Sequence, residues 1–323
     1  MHSGVGWLDG FRADYERIFV KEWSPFVGAI LLVVAILSAL WGVVDFILMA
    51  VALEQRGVRV NMVLARLFFF RYLNEYKNIT RRETGRVGPL FFSYIVAMNV
   101  ALVCAIIGLV CATDLFNLWL WFEAMAVTSY FLVAFYRDQK ASLEAGWKYL
   151  VQSATGSTLV MLGIALAFAA TGSLRFDELR LAAASADPLL LAAGALFIIG
   201  FGVKTALVPL HTWLPDAHSQ APSGISAMLS GIVIEAGLVA MLRSLGILYA
   251  TSQVWGYLLL GFGALNLLVG NLMALRQTQV KRLLAYSSLS HVGYMLIGFG
   301  MAFAFAMPNG AIGGFFHLFN HAL

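Results

Sequence analysis

The sequence predicts an all-α, polytopic transmembrane helix bundle, and three observations carry that expectation. Of the 323 residues, 61% are hydrophobic and 12% are charged, whereas soluble domains hold roughly 45–50% and about 25%. The mean hydropathy is +0.83. The apolar residues also come in blocks near the ~20 residues that a helix needs to cross a bilayer, with most charges gathered between the blocks.

In chain order, residues 1–25 form a polar, aromatic segment in which Trp7 and Trp23 suit a membrane interface. Charges spread through it leave no signal-peptide core. Phe26–Leu53 is the first apolar run, interrupted by Asp45. Residues 54–87 are strongly basic (Arg56, Arg59, Arg66, Arg71, Lys77, Arg81, Arg82, Arg86), and Val60–Tyr72 within them reads as an interfacial helix, too short and basic to span. Pro89–Ala112 spans, Thr113-Asp114 turns, and Leu115–Tyr136 spans back. Ala145–Thr171 follows, opened by Glu144 and Lys148 at a pairing i,i+4 distance. Residues 172–188 read as a polar extramembrane loop. Leu189–Leu210, Ser223–Tyr249, Val254–Leu275 and Leu283–Ala306 complete eight apolar runs.

A ninth run begins after Pro308-Asn309-Gly310. Its stretch Gly313–Leu323 would rise only about 17 Å as a helix, short of a ~30 Å hydrocarbon core. The expectation is therefore a fragment, or a fold completed by a partner.

The net charge of +4 reflects loop placement rather than nucleic-acid binding. Loops 54–87, 137–144 and 276–282 fall on one face and hold most of the basic residues. Arg12, Arg17, Lys21, Arg175, Arg180 and Arg243 fall on the other. The positive-inside rule makes the first face cytoplasmic. Cys104 and Cys111 share one apolar run, where packing or lipid contact suits them better than a disulfide or a metal.

Several ionisable groups lie deep inside apolar runs: Glu123, Lys204, Glu235, His291, and the pair His317 and His321 at i,i+4. Such groups normally face the bundle interior or a wet cavity and mark ion pathways. Burial disfavours the charged form of a lysine or a carboxylate, while proximity of the two favours it. Glu123 and Lys204 thus read as a coupled pair that exchanges protons, or else as a static ion pair between helices. Their depths differ by about 9 Å at 1.5 Å per residue, so a bend at Pro209, which removes a donor and crowds the preceding turn, would have to bring them together.

His211 and His218 bracket Trp213, Pro215 and Asp216 in a short connector. Zinc at His211, Asp216 and His218 is the weaker reading, and proton passage the stronger. For His317 and His321 a relay again outweighs a metal, because the Glu of a His-Glu-x-x-His motif is missing. His291 serves either a relay or a helix–helix hydrogen bond. Lys148, His211, His218 and Asp114 are auxiliary candidates. Gly194, Gly200, Gly202, Gly231, Gly237, Gly261, Gly263 and Gly270 read as close helix packing. With no phosphate loop, nucleophile elbow or cysteine cluster, no metal or cofactor site is expected.

Four stretches then carry a resemblance: Thr113-Asp-Leu-Phe-Asn-Leu-Trp-Leu-Trp-Phe-Glu123; Lys204 with Pro209-Leu-His-Thr-Trp-Leu-Pro-Asp-Ala-His218 and Ala221-Pro222; Lys281-Arg-Leu-Leu-Ala-Tyr-Ser-Ser288 through His291; and His317-Leu-Phe-Asn-His-Ala-Leu323. Over about 88–323 the chain resembles the antiporter-like, proton-translocating membrane subunits of respiratory complex I, Mrp-type cation/proton antiporters and membrane-bound hydrogenases. The resemblance implies two inverted five-helix repeats with broken helices near the midplane. Residues 88–250 would be the first, complete repeat and 254–323 part of a second, while 1–25 and 26–87 match poorly. It further implies Glu123 as modulating carboxylate, Lys204 as central proton carrier, and His291, His317 and His321 as the onward axis. Glu235 stands where many members have a lysine. Implied partners are the other membrane subunits of a complex-I-like, hydrogenase or Mrp assembly, with protons or Na⁺ as the transported ion. A Na⁺/H⁺ antiporter subunit and a non-conducting structural subunit are the alternatives.

Overall fold

The computed structural model describes residues 24–60, 65–133, 139–185 and 187–323. Most of the expected segment 1–25, residues 61–64 of the expected interfacial helix, and Arg137 lie outside the described residues. Among the described residues thirteen α-helices follow in order: α1 Ser24–Glu54, α2 Ala65–Thr84, α3 Pro89–Cys111, α4 Leu115–Val133, α5 Lys140–Thr171, α6 Phe176–Ala183, α7 Pro188–Lys204, α8 Trp213–Gln220, α9 Ser223–Met228, α10 Ile234–Ile247, α11 Val254–Leu275, α12 Val280–Phe305 and α13 Pro308–Ala322. A π-turn, Leu229–Val233, joins α9 to α10. No β-strand occurs among the described residues.

Local sequence sets the helix limits. Proline at the first helical position opens α3, α7 and α13, where its missing N–H costs nothing. The Asp187 carboxylate accepts the Leu189 N–H at 2.7 Å to cap α7. Gly172 ends α5 with φ +69°, a left-handed value natural to glycine.

Among the described residues, six helices are long and apolar enough to cross a membrane. Their outward faces carry large exposed apolar side chains, such as Leu37 and Val44 on α1, Phe92 and Val103 on α3, and Leu265 and Leu268 on α11. Lipid is the solvent that suits such a surface. Asp45 is turned out of that surface and is buried. Inside, Leu118, Phe122, Phe197, Phe201, Trp213 and Met241 belong to one continuous core. Helices α5 and α7 meet through Gly156 and Gly200: a Cβ on Gly200 would lie 2.7 Å from the Gly156 carbonyl oxygen. Small residues permit such contact between membrane helices.

The two ends of the bundle are chemically distinct. At one, Asp216 receives Lys148 at 3.0 Å and Arg282 at 3.1 Å, which brings the N-terminal portions of α5 and α12 together. At the other, Leu115 N–H donates to Leu174 O and Phe176 N–H to Thr113 O. There Arg243 donates to the carbonyls of Leu109 and Val110 at 2.7 Å and of Ala112 at 2.5 Å, closing the C-terminus of α3. Its guanidinium also lies 5.1 Å from the Phe176 ring centroid.

Four local expectations change. The helix after α1 covers Ala65–Thr84 rather than Val60–Tyr72, because Tyr72, Leu73, Tyr76 and Thr80 form its buried stripe. The stretch 172–188 contains α6, which tucks Phe176, Leu179 and Ala183 inward. The connector 211–222 contains α8, with Trp213 and His218 buried. Finally, α7 stops at Lys204 instead of running to Leu210.

Candidate functional site: a buried lysine at a helix break

Lys204 is the last residue of α7 and is 1% exposed. The helix ends there by backbone geometry. Ala206 takes φ +55°, Leu207 N–H donates to Gly202 O at 2.8 Å, and Ala206 N–H donates to Val203 O at 3.2 Å. These two bonds are those of a Schellman termination, here with alanine where glycine is usual. The peptide bond Val208–Pro209 is cis.

A break inside an apolar bundle leaves backbone polar groups that need partners. Asn266 of α11, fully buried, supplies them. Its side-chain oxygen accepts the Val208 N–H at 2.8 Å, and its amide donates to Ala206 O at 3.3 Å and Leu289 O at 3.4 Å. The Trp213 indole donates to Val203 O at 2.7 Å.

The Lys204 ammonium lies in a cage of oxygens and aromatic faces. Nζ donates to Tyr149 Oη at 2.5 Å and to Ser129 Oγ at 3.2 Å. Those two hydroxyls are themselves 2.7 Å apart. Nζ also sits 4.5 Å from the Tyr149 ring and 5.1 Å from the Tyr130 ring, and Tyr149 stacks on Trp213 at 4.3 Å. The stem of Lys204 packs on α10 at Gly237, where a Cβ would stand 3.1 Å from Lys204 Cγ.

The expected direct pair with Glu123 is not formed. Glu123 Oε1 is buried without a hydrogen-bond partner. Depth explains the arrangement. Ser129 lies six residues beyond Glu123 on α4, roughly 9 Å deeper at 1.5 Å per residue, and that is the level of Lys204. The break after Lys204 does not take up the offset; the hydroxyls of Ser129 and Tyr149 occupy it.

The histidines converge on one another. His291 Nδ1 and His317 Nε2 are 2.9 Å apart, and the rings of His291 and His321 stack at 4.7 Å. His321 Nε2 lies 3.4 Å from Ser230 Oγ, which shares a short hydrogen bond with Ser288 Oγ. Glu235 is 5% exposed, and its Oε1 has no hydrogen-bond partner. His218 on α8 is buried with Nε2 unpartnered, and His211 has a buried, unpartnered Nδ1.

The other two auxiliary candidates lie at the ends of the bundle. Asp114 caps α4 by accepting the Asn117 N–H at 2.7 Å. Lys148 pairs with Glu144 at 2.7 Å, as its spacing predicts, and with Asp216. A polar cleft of about 200 Å³ opens there, lined by Glu144, Lys148, Asp216, Ser219 and Arg282.

No sequence motif points to Tyr149, Ser129, Tyr130, Asn266 or Ser230. Ser129 and Asn266 do stand out as polar residues inside apolar runs, which was the available signal.

A helical bundle with membrane-length apolar helices and a buried lysine at a helix end defines a polytopic membrane protein. The chain belongs to the NADH:quinone oxidoreductase/Mrp antiporter transmembrane family, whose model matches residues 112–323. It is 34% identical over 275 residues to hydrogenase-4 component B of Escherichia coli (strain K12), covering 81% of this chain and 38% of that protein. It is 41% identical over 194 residues to NADH-quinone oxidoreductase subunit N of Chloroflexus aggregans, covering 58% and 40%. Among solved structures, a chain of the membrane-bound sulfane sulfur reductase, an archaeal respiratory membrane complex, superposes with a TM-score of 0.67 at 28% identity, covering 95% of this chain and 64% of that one. The chain thus spans about two fifths of the length of these curated relatives.

Proposed function

We propose that this chain is a proton-translocating, antiporter-like subunit of a complex-I-like redox complex, and that it performs no redox chemistry itself. The observation that carries the reading is Lys204, wholly buried at a helix break and bonded to two hydroxyls. An ammonium deep in a membrane bundle costs at least about 2.5–3.5 kcal/mol. The Tyr149 and Ser129 oxygens offset part of that cost while Lys204 is charged. Once it is neutral, its lone pair accepts the Tyr149 O–H instead. The site therefore tolerates both protonation states without moving a helix.

Glu123 is the modulating carboxylate in this reading. While ionised it favours the ammonium, and its neutralisation by a neighbouring subunit lets the proton go. Glu235 and the histidines His291, His317 and His321 extend the path, with residues 88–250 as the first repeat and 254–323 as part of an inverted second one. The membrane is a prokaryotic plasma membrane, with loops 54–87, 137–144 and 276–282 cytoplasmic. The relatives named above, a hydrogenase component, an NADH-quinone oxidoreductase subunit and a respiratory reductase, support a redox-driven complex with other membrane subunits as partners.

The test is to isolate the complex through a tag on this chain, reconstitute it in proteoliposomes and supply an electron donor. Electron-driven proton uptake with co-purifying redox subunits is expected. Proton exchange that needs Na⁺ and no electron donor would replace this reading with antiport, and assembly without any ion movement would favour a structural subunit.

A further inference from the structure

Beside the large core, the described residues form a second, smaller one. Met49 and Leu53 of α1, Tyr72, Leu73 and Tyr76 of α2, and Phe91 and Tyr94 of α3 pack together in it. At one end of this unit α1 stops at Glu54, α2 stops at Thr84 and α3 starts at Pro89. Both α1 and α3 are of membrane-spanning length, so this end lies at a membrane face. The segments that join the three helices are tied down. Gly57 takes φ +81° and Val58 N–H returns to Leu53 O at 3.1 Å, which closes α1. Gly88 N–H donates to Thr80 Oγ1 at 3.0 Å, and Arg56 Nε meets Glu83 at 2.9 Å, joining the end of α1 to the end of α2.

This rim presents guanidinium groups that nothing in the chain takes up. Arg59, Arg81, Arg82 and Arg86 are exposed, and among the described residues none of their side chains forms a hydrogen bond or an ion pair. Arg59 points outward because Val58 and Val60, on either side of it, pack against the small core. Arg81 and Arg82 follow Thr80, which is buried, and a turn of about 100° per residue carries them off the inner face of α2. Other basic groups are neutralised: Arg71 by Glu75, Lys148 by Glu144 and Asp216, Arg175 by Asp177 and Arg282 by Asp216. The rim has only two acids, of which Glu83 is occupied by Arg56 and Glu54 ends α1. No acidic residue stands in the first turn of α3, so the positive end of that helix adds to the field.

Next to the rim lie side chains suited to lipid. Leu48 and Val51 of α1 and Phe92 and Val96 of α3 are all exposed. An occupant has to match positive charge at the ends of spanning helices and hydrocarbon directly beside it. An acidic soluble segment matches the first alone, whereas an anionic phospholipid matches both. We propose that Arg59, Arg81, Arg82 and Arg86 form a headgroup site for an anionic glycerophospholipid, whose acyl chains lie on the apolar side chains beside the rim. Forked guanidinium groups suit the oxygens of a phosphodiester. The site lies away from Lys204 and does not depend on the proton pathway proposed above.

The experiment uses the chain in its native assembly, purified from membranes and placed in nanodiscs of mixed phosphatidylcholine and phosphatidylglycerol. A trace of photoactivatable phosphatidylglycerol, or of the matching phosphatidylcholine, is cross-linked and the labelled peptides are mapped. Phosphatidylglycerol should label residues 54–92 about tenfold more than phosphatidylcholine does. One basic residue near an anionic surface is worth about a fivefold preference. Replacing all four arginines (Arg59→Gln, Arg81→Gln, Arg82→Gln, Arg86→Gln) should therefore abolish the preference, and four lysines should retain most of it. If the fourfold glutamine variant does not assemble, Arg82→Gln alone should lower the preference about fivefold. Salt at about 1 M, where the screening length is about 3 Å, should weaken it. Inorganic phosphate at matched ionic strength should leave it unchanged, and displacement by phosphate would show a site for a soluble anion instead. Equal labelling by the two lipids overturns the proposal. So does a glutamine variant that keeps the lipid preference but loses a co-purifying subunit, which would make the rim a protein contact.

Discussion

Lys204 Nζ lies 2.5 Å from Tyr149 Oη, on a tyrosine fixed from behind by its stack on Trp213 and beside by Ser129. The lysine is thus held by hydroxyls and ring faces. Removing the hydroxyl tests this arrangement. In Tyr149→Phe the ring faces remain but the strongest oxygen is lost, so proton flux should drop about tenfold, as loss of one charge-assisted hydrogen bond implies, while the complex still assembles. Flux at the wild-type level would show that Ser129 alone suffices.

Asn266 should act on Lys204 through the break. Asn266→Leu keeps the volume but strips the Val208 N–H, Ala206 O and Leu289 O of their shared partner. An unsatisfied buried backbone group costs about 1–3 kcal/mol. The thermal midpoint of the purified complex should fall, and proton flux should fall with it, whereas a leucine introduced at lipid-facing Gly261, where a Cβ meets nothing within 4 Å, should change neither.

Arg243 binds three carbonyls at the end of α3, a role that needs the forked guanidinium. Arg243→Ala should lower stability by about 2 kcal/mol, in the range for hydrogen bonds involving a charged group. Arg243→Lys should recover only part of it. Thermal unfolding in detergent reads both, and equal recovery by lysine would show that charge alone matters.

Gly200 tests the contact between α5 and α7. A methyl group there meets the Val160 Cγ2 at 2.6 Å and the Gly156 carbonyl at 2.7 Å. Overpacking of this kind costs about 1–3 kcal/mol. Gly200→Ala should therefore reduce the yield of assembled complex, and an unaffected yield would mean that the helices separate freely.

The choice of ion is tested by substitution of the medium. Electron-driven proton uptake should be flat from zero to saturating Na⁺. A requirement for Na⁺ would favour the antiport alternative.

Sequence alone made the membrane class and most spans legible, because apolar length is a local signal. The histidines His291, His317 and His321 were also legible, as ionisable groups inside apolar runs, and the structure brings them into contact. What sequence could not supply is which neutral polar residue meets which charge. The pairing of Lys204 with Tyr149 and Ser129 depends on how far α7 runs before it ends. That end is set by Ala206 in a left-handed conformation, where no glycine announced a cap. Pro209 pointed to the right region but not to the right residue. The π-turn was invisible for a related reason: one extra residue inside a long apolar helix leaves no mark in composition.

The most direct measurement of the central claim is the proton-to-electron ratio of reconstituted complex carrying Lys204→Met, which keeps the stem and removes the charge. With electron transfer and assembly intact, the ratio should fall below that of the wild type, because the group that carries the proton is gone. A ratio equal to that of the wild type would contradict the account, and Lys204 would then be a buried anchor for the helix break.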